Sequence, residues 1–249
     1  MHRFFAPAID PGDETVVLPR DEAEHLTRVL RLGTGDMVAV FDGRGREFVA
    51  KVVSAARRDV RVQLVSAGEP AAEPNVPLTL AQAVLKGEKM DDVVRDAVML
   101  GVAAIQPLVT ARTETTVAML RKGARVERWQ RVALASVKQS RRAVLPDIRI
   151  PLTLETYLGD PPPAARLMLV EPSVAAECGP FETISALHQQ GPPHDAALLV
   201  GPEGGWSAAE CAAAKNAGVR LVTLGHRTLR ADAAPVAAIC VLQYVWGDL

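Results

Sequence analysis

Aromatic residues make up only 4% of this 249-residue chain, so a core for that length has to be filled largely by Ala, Val and Leu. Cysteine is as sparse. Cys178, Cys211 and Cys240 are odd in number and far apart, with no Cys-x-x-Cys spacing. Neither a disulfide framework nor a zinc site is therefore expected, and the thiols read as buried or incidental. No apolar run approaches the roughly 18 to 20 residues of a membrane span. Met1-His2-Arg3-Phe4-Phe5-Ala6-Pro7 also lacks the apolar core of a signal peptide. The expected location is cytoplasmic, with no membrane partner. A surplus of charge is missing too: the formal net charge is -1, so nothing global marks a phosphate-rich partner. Hydrophobic residues at 49% against 23% charged argue against disorder.

The charge that is present lies unevenly. From residue 112 to 149, ten Arg or Lys stand against three acids, Glu114, Glu127 and Asp147, and such a local excess can meet phosphates.

The densest signal is residues 196–210. Ala196-Ala197-Leu198-Leu199-Val200 has the length of a strand covered on both faces, and Gly201-Pro202 stops it. Ser207 with Glu210 reads as a capping box that opens a helix. Between them, Gly204 and Gly205 lack a Cβ, so the backbone is free to take positive φ and to approach a ligand at the helix's positive end. A second such arrangement follows. Residues 220–224 read as a strand, Gly225-His226-Arg227-Thr228-Leu229-Arg230 as a loop, and residues 233–246 as a nearly all-apolar helix. That helix has to be buried in the core or between subunits. Two guanidinium groups then lie outside the carboxyl ends of strands, where α/β sheets bind ligands.

Residues 1–67 read as a small β-rich domain. A short helix is predicted over residues 21–31, started by Asp21 with Glu24 three residues on. Period-two strands follow at 37–41, 47–53 and 60–65, with turns at Asp42-Gly43 and Gly45, and together they imply a half-open barrel. Residues 68–77, rich in Pro, Ala and Glu, are a linker. Residues 78–249 form the second domain. A strand at 78–84 leads to a helix at 88–100, with Met90, Val93, Val94, Ala97 and Val98 as its inward stripe and Gly101 closing it. A strand at 103–109 completes β-α-β and implies a parallel sheet. Residues 125–140 form an amphipathic helix with Val126, Trp129, Ala133 and Val137 inward. A strand at 167–170 precedes the loop Glu171-Pro172 and a helix at 181–190.

Several blocks in order, Leu-Val-Gly-Pro-Glu-Gly-Gly-Trp-Ser at 199–207, Leu-Gly-His-Arg-Thr-Leu-Arg-Ala-Asp-Ala-Ala at 224–234, His2-Arg3-Phe4-Phe5, His25 to Arg31 and Lys86-Gly87-Glu88-Lys89-Met90-Asp91, resemble the RsmE family. Its members are SPOUT-superfamily methyltransferases that modify N3 of a uridine in 16S, small-subunit, ribosomal RNA. The resemblance runs almost end to end. It implies an α/β fold, a SPOUT-type trefoil-knotted parallel sheet domain preceded by a small PUA-like β-barrel domain that binds RNA. It implies S-adenosyl-L-methionine held bent in the knotted loops, largely through backbone groups, and no metal. The implied partners are a second copy in a homodimer and small-subunit ribosomal RNA within a ribosomal subunit or assembly intermediate. Implied cofactor-binding residues are Glu171, Pro172, Val200, Gly201, Pro202, Glu203, Gly204, Gly205, Leu224, Gly225, Leu229 and Arg230. Arg230, Arg227, Glu203 and Asp232 are the implied catalytic groups. RNA would meet Arg3, His25, Arg28, Arg31, Lys86, Lys89, Arg112, Lys138, Arg141 and Arg142, together with Arg57, Arg58 and Arg61 on the barrel.

Methylation at N3 needs loss of the N3 proton and stabilisation of the anion left on the flanking carbonyl oxygens. Arg230 and Arg227 supply positive charge, and Glu203 or Asp232 can take or relay a proton. The chain departs from the family pattern at five places. Lys138 stands where an acid is usual, Arg141 where glycine is usual, Thr228 where an aliphatic residue is usual, Asp232-Ala233 replaces Glu-Thr, and Pro235 enters the first turn of the last helix, where proline is tolerated. Two readings therefore stay beside the leading one: another SPOUT enzyme, such as a ribose 2'-O-methyltransferase, and a catalytically silent RNA-binding assembly factor.

Overall fold

The structure is a computed structural model that describes residues 1–10, 12–56, 59–174 and 178–249. Arg57 and Arg58 lie outside the described residues. The chain divides into two compact units. One is Met1–Glu73 with Val137–Leu145; the other is Pro74–Ser136 with Pro146–Leu249.

In the first unit, β1 (Arg3–Phe5), β2 (Thr15–Val17), β3 (Met37–Phe41), β4 (Glu47–Ala56) and β5 (Asp59–Ala67) form one sheet in the order β1-β3-β4-β5-β2. Only β1 and β3 run parallel among these pairs. The alternation in β5 places Val60 and Val62 in a core with Phe4, Leu26, Val38, Val40, Ala50 and Val52. Two register shifts bend β4, between Val49 and Ala50 and between Val52 and Ser54. The predicted helix is present as α1 (Arg20–Glu24), continued by a wider turn over His25–Val29 in which the Leu30 amide donates to the His25 carbonyl at 3.1 Å. Asp21 is not its cap. The helix starts one residue earlier after Pro19, and Asp21 sits in the first turn, where its charge suits the dipole.

Val137–Leu145 joins this unit through backbone hydrogen bonds. The Gly45 amide donates to the Ala143 carbonyl at 3.1 Å, and the Leu145 amide to the Gly43 carbonyl at 2.9 Å. Gly43 has φ 78°, and a Cβ there would lie 2.8 Å from the Phe5 ring, so only glycine fits.

The second unit is built on parallel strands: β6 (Leu78–Ala83), β7 (Ala104–Val109), β8 (Asp147–Ile148), β9 (Leu152–Thr153), β10 (Ala165–Leu169), β11 (Glu182–Thr183), β12 (Ala196–Val200) and β13 (Arg220–Thr223). Their order is β11-β13-β10-β12-β6-β7-β8, with β9 on β7. Helices α2 (Lys89–Met99), α3 (Val117–Lys122), α4 (Arg125–Ser140), α5 (Leu154–Gly159), α6 (Ala208–Asn216) and α7 (Ala233–Val245) complete it, except that α4 from Val137 on belongs to the first unit. β12 is buried along its whole length because strands flank it on both sides, Leu198 pairing with Leu167 and with Leu80. The predicted stripe of α2 is buried in full.

Three features differ from the sequence-based expectation. Residues 181–190 are not an α-helix: β11 pairs with β13, and a tight 3-10 helix covers Ile184–Gln190. Ile184 and Leu187, three apart and both buried, match a repeat of three rather than 3.6. Helix α3 was not anticipated; Thr116 caps it by accepting from the Met119 amide. Cys178 and Cys211 are joined as a disulfide, with Cα atoms 5.4 Å apart. Sequence spacing hid this pairing, because β10 and β12 are neighbours and the segment after β10 returns against the helix that follows β12.

Candidate functional site

The capping box is present: Ser207 accepts from the Glu210 amide, and the Glu210 carboxylate accepts from the Ser207 amide at 2.9 Å. Just before it, the Gly205 amide donates to the Pro202 carbonyl at 2.9 Å, closing a turn. The three glycines here answer to different constraints. Gly205 has φ 68°, the left-handed region that favours glycine. Gly201 lies under the Trp206 indole, which would be 3.2 Å from a Cβ, while the indole Nε1 donates to the Leu169 carbonyl at 2.9 Å. Gly204 does not take positive φ, contrary to expectation; a Cβ there would meet the Arg112 side chain at 3.1 and 3.2 Å.

A cavity of about 880 Å³, counting its open mouth, lies at the carboxyl ends of β10, β12 and β13. Leu169, Val170, Glu171, Pro172 and Val174 line it from the first loop, and Val200 to Trp206 from the second. Thr223, Leu224, Arg227, Thr228 and Leu229 line it from the third, with Ala231 and Ala234 at the start of α7 and Arg112 reaching over from the loop after β7. Of the predicted cofactor residues, Glu171, Pro172, Val200, Gly201, Pro202, Glu203, Gly204, Gly205, Leu224 and Leu229 meet around this cavity, whereas Gly225 and Arg230 stand outside its lining.

The four predicted catalytic groups fall into two sets. Arg227 and Glu203 line the cavity. Arg230 instead grips Asp232 with two hydrogen bonds, at 3.1 and 2.8 Å, and its side chain is 75% exposed. That hydrogen bond holds the Asp232 carboxyl below its usual range. Burial alone would raise Glu203. Hydrogen bonds from its own amide, from Lys89 Nζ at 3.1 Å and from the Lys86 amide at 3.2 Å outweigh that and leave its carboxyl lowered.

Several of the predicted RNA contacts are engaged inside their own unit. Arg3 is nearly enclosed: it pairs with Glu47 at 2.5 Å, donates to the Val137, Lys138 and Arg142 carbonyls, and lies over the Phe41 ring. Lys138 pairs with Glu22, and the buried Arg142 with Glu73. These three side chains are structural ties. Lys86 pairs with Glu114 at 2.5 Å and Lys89 with Glu203. His25 is exposed with its ring edge-on to Phe4, Arg28 lies 4.0 Å from Glu24, and Arg61 lies 3.5 Å from Asp59. Arg31 and Arg141 are exposed, both with positive φ, 55° and 64°. Sequence reasoning missed Arg112 as a cavity residue; it was grouped with the basic stretch, and nothing local signals its reach to Gly204.

Comparison with known proteins agrees with this architecture. A family model described as an RNA methyltransferase domain matches residues 72–243, and one described as an RNA methyltransferase PUA domain matches residues 18–65. The fold is thus that of an RNA methyltransferase with a PUA domain. A ribosomal RNA small subunit methyltransferase E from Synechocystis sp. is 34% identical over 93% of this chain and 73% of its own length. The crystal structure of the methyltransferase of the same name from Neisseria gonorrhoeae, bound to S-adenosyl methionine, superimposes with TM-score 0.85 at 31% identity, covering 100% of this chain and 99% of that one. A methyltransferase from Legionella pneumophila with bound SAM gives 0.86 at 29%, covering 99% and 98%. The chain belongs to the ribosomal RNA small subunit methyltransferase E family, the RsmE family.

Proposed function

We propose that this enzyme transfers a methyl group from S-adenosylmethionine to N3 of a uridine in 16S ribosomal RNA, acting in the cytoplasm as a homodimer on a ribosomal subunit or assembly intermediate. The observation that carries this reading is the convergence of three strand-end loops on one cavity. The cavity's residues fit the donor. Its walls offer apolar surface from Leu169, Val170, Val200 and Leu229, and its charges are two guanidiniums, Arg112 and Arg227, and two carboxylates, Glu171 and Glu203. A ligand with an aromatic base, two cationic centres and a carboxylate matches that set. The glycines of the Pro202–Gly205 turn leave room for the Arg112 stem against Gly204 and for Glu171 Oε1 against Gly205, which brings both charges to the lining. The order β12-β10-β13 sets the three strand ends that carry these loops side by side.

When bound, S-adenosylmethionine supplies an electrophilic methyl group. The chain's own part is electrostatic and positional. Arg227 brings a permanent cation to the cavity, suited to the negative charge that develops on uracil as the N3 proton leaves. Arg230, paired with Asp232 and outside the lining of the cavity, is held beside the start of α7 and helps to fix that loop. Glu203 is held ionised, against its burial, by its own amide, Lys89 and the Lys86 amide, so it is ready to accept a proton but is a weaker base than an ordinary carboxylate. The first unit, with exposed arginines such as Arg28 and Arg31, is the RNA-holding part.

The test is transfer of a labelled methyl group from S-adenosylmethionine to small subunits from a strain lacking the protein, followed by digestion to nucleosides. The expected label is in 3-methyluridine. Label in a 2'-O-methyl nucleoside would replace this reading with a ribose methyltransferase, and no label would favour a silent RNA-binding factor.

A further inference from the structure

We propose that Arg112 is the anion subsite of the cavity and takes the carboxylate of the donor's amino-acid end. The assignment rests on S-adenosylmethionine being the cavity's ligand.

Arg112 is fixed in place before any ligand arrives. Its Nη1 donates to the Gly204 carbonyl at 2.5 Å, and its aliphatic stem lies where a Gly204 side chain would have to go. The loop that carries it is tied down on either side. The Ala111 amide donates to Glu210 Oε1 at 2.8 Å, Thr110 and Thr113 hydrogen-bond each other, and Glu114 pairs with Lys86. A guanidinium has five N–H donors in a rigid fork. The Gly204 carbonyl takes one side, so the remaining donors keep their capacity for an oxyanion at the cavity that Arg112 lines.

Charge around the turn favours an amphoteric ligand end. Arg112 lies against Gly204, while the Glu171 Oε1 atom is 3.2 Å from the position of a Gly205 Cβ. Opposite charges thus flank two consecutive residues, as an α-amino acid carrying both ammonium and carboxylate requires. Arg227, the other cation of the lining, sits on the loop between β13 and α7, and among the described residues no hydrogen bond or ion pair fixes its guanidinium as Gly204 and Glu210 fix Arg112 and its loop. An ordered guanidinium loses less freedom on binding, so Arg112 is the better carboxylate site and Arg227 remains for uracil.

Calorimetry with two donors isolates the carboxylate: S-adenosylmethionine and its decarboxylated analogue, which keeps the sulfonium and the amine. Wild-type protein should prefer the former by roughly ten- to a hundredfold, the range of a charge-assisted pair. Arg112→Gln should abolish that preference by weakening S-adenosylmethionine alone, with the analogue's affinity within about twofold of wild type. Arg227→Gln should keep it. The proposal is overturned if Arg112→Gln weakens both donors equally, since the residue then only shapes the glycine turn. It is overturned too if Arg227→Gln removes the preference, or if Arg112→Gln leaves donor binding intact and weakens only RNA binding, the mark of a phosphate contact. If wild-type protein binds neither donor, the methyltransferase reading itself fails.

Discussion

Among the described residues, only Arg31 and Arg141 hold a left-handed backbone without being glycine, a conformation that costs an L-residue about 1–2 kcal/mol. Arg141 directly follows α4, and its carbonyl accepts from the Ala71 amide at 2.9 Å, which keeps the backbone there. Arg141→Gly should therefore stabilise the fold by about 1 kcal/mol, raising Tm by roughly 2–4 °C. If Arg141 meets RNA phosphate, the same variant should weaken RNA binding and flatten its salt dependence by about one contact. A fall in Tm would show that the side chain contributes more than the backbone strains. The basic residues also mark where sequence reading stops. Arg3, Lys138, Arg141 and Arg142 look alike as letters, yet Arg3 and Arg142 are enclosed by acids and carbonyls while Arg141 stands in solvent. Only tertiary contacts, with partners up to 139 positions away, separate them.

At the level of elements, local physics made most of the second unit legible. Strand β12 and helix α4 have the bounds their apolar patterns set, and the Ser207–Glu210 box forms as its spacing requires, because each depends on residues only a few positions apart. What the pattern could not carry was pairing across the fold: the strap of Val137–Leu145 on the first unit, and the bond between Cys178 and Cys211. That disulfide closes a sequence separation of 33, for which chain entropy gives about 3–4 kcal/mol of stabilisation. It ties the segment after the cavity-lining Glu171, Pro172 and Val174 to the helix that begins at the glycine turn. Thiol titration of denatured, unreduced protein should find one reactive cysteine, Cys240, and three after reduction. Cys211→Ser should lower Tm under oxidising conditions and leave it nearly unchanged from wild type under reducing ones. Three thiols before reduction would mean that the two sulfurs are merely neighbours.

For the whole molecule, the homodimer proposed above rests on the last helix. One side of α7 is spent inside its own unit: Ala238, Ile239 and Leu242 are fully buried, and the Gln243 amide donates to the Leu100 carbonyl at 3.1 Å. The opposite side keeps Ala233, Ala237, Cys240, Val241 and Tyr244 only partly covered or exposed, Tyr244 at 69%. These fall at helical spacing on one stripe, with no charged residue within α7. Exposed apolar stripes bounded in this way mark contact surfaces, and a stripe meeting its own copy gives a two-fold dimer. Its position beside Ala231 and Ala234 of the cavity lining means that a partner chain would border the donor site. Sedimentation at micromolar concentration should show a species of twice the 26.6 kDa chain. Val241→Glu should convert it to monomer, because a carboxylate buried against its symmetry mate would be desolvated and unpaired. Far-UV circular dichroism should stay unchanged, since Val241 faces away from its own core. A wild-type protein that sediments as a monomer, or a Val241→Glu variant that stays dimeric, would move the subunit contact elsewhere or remove it.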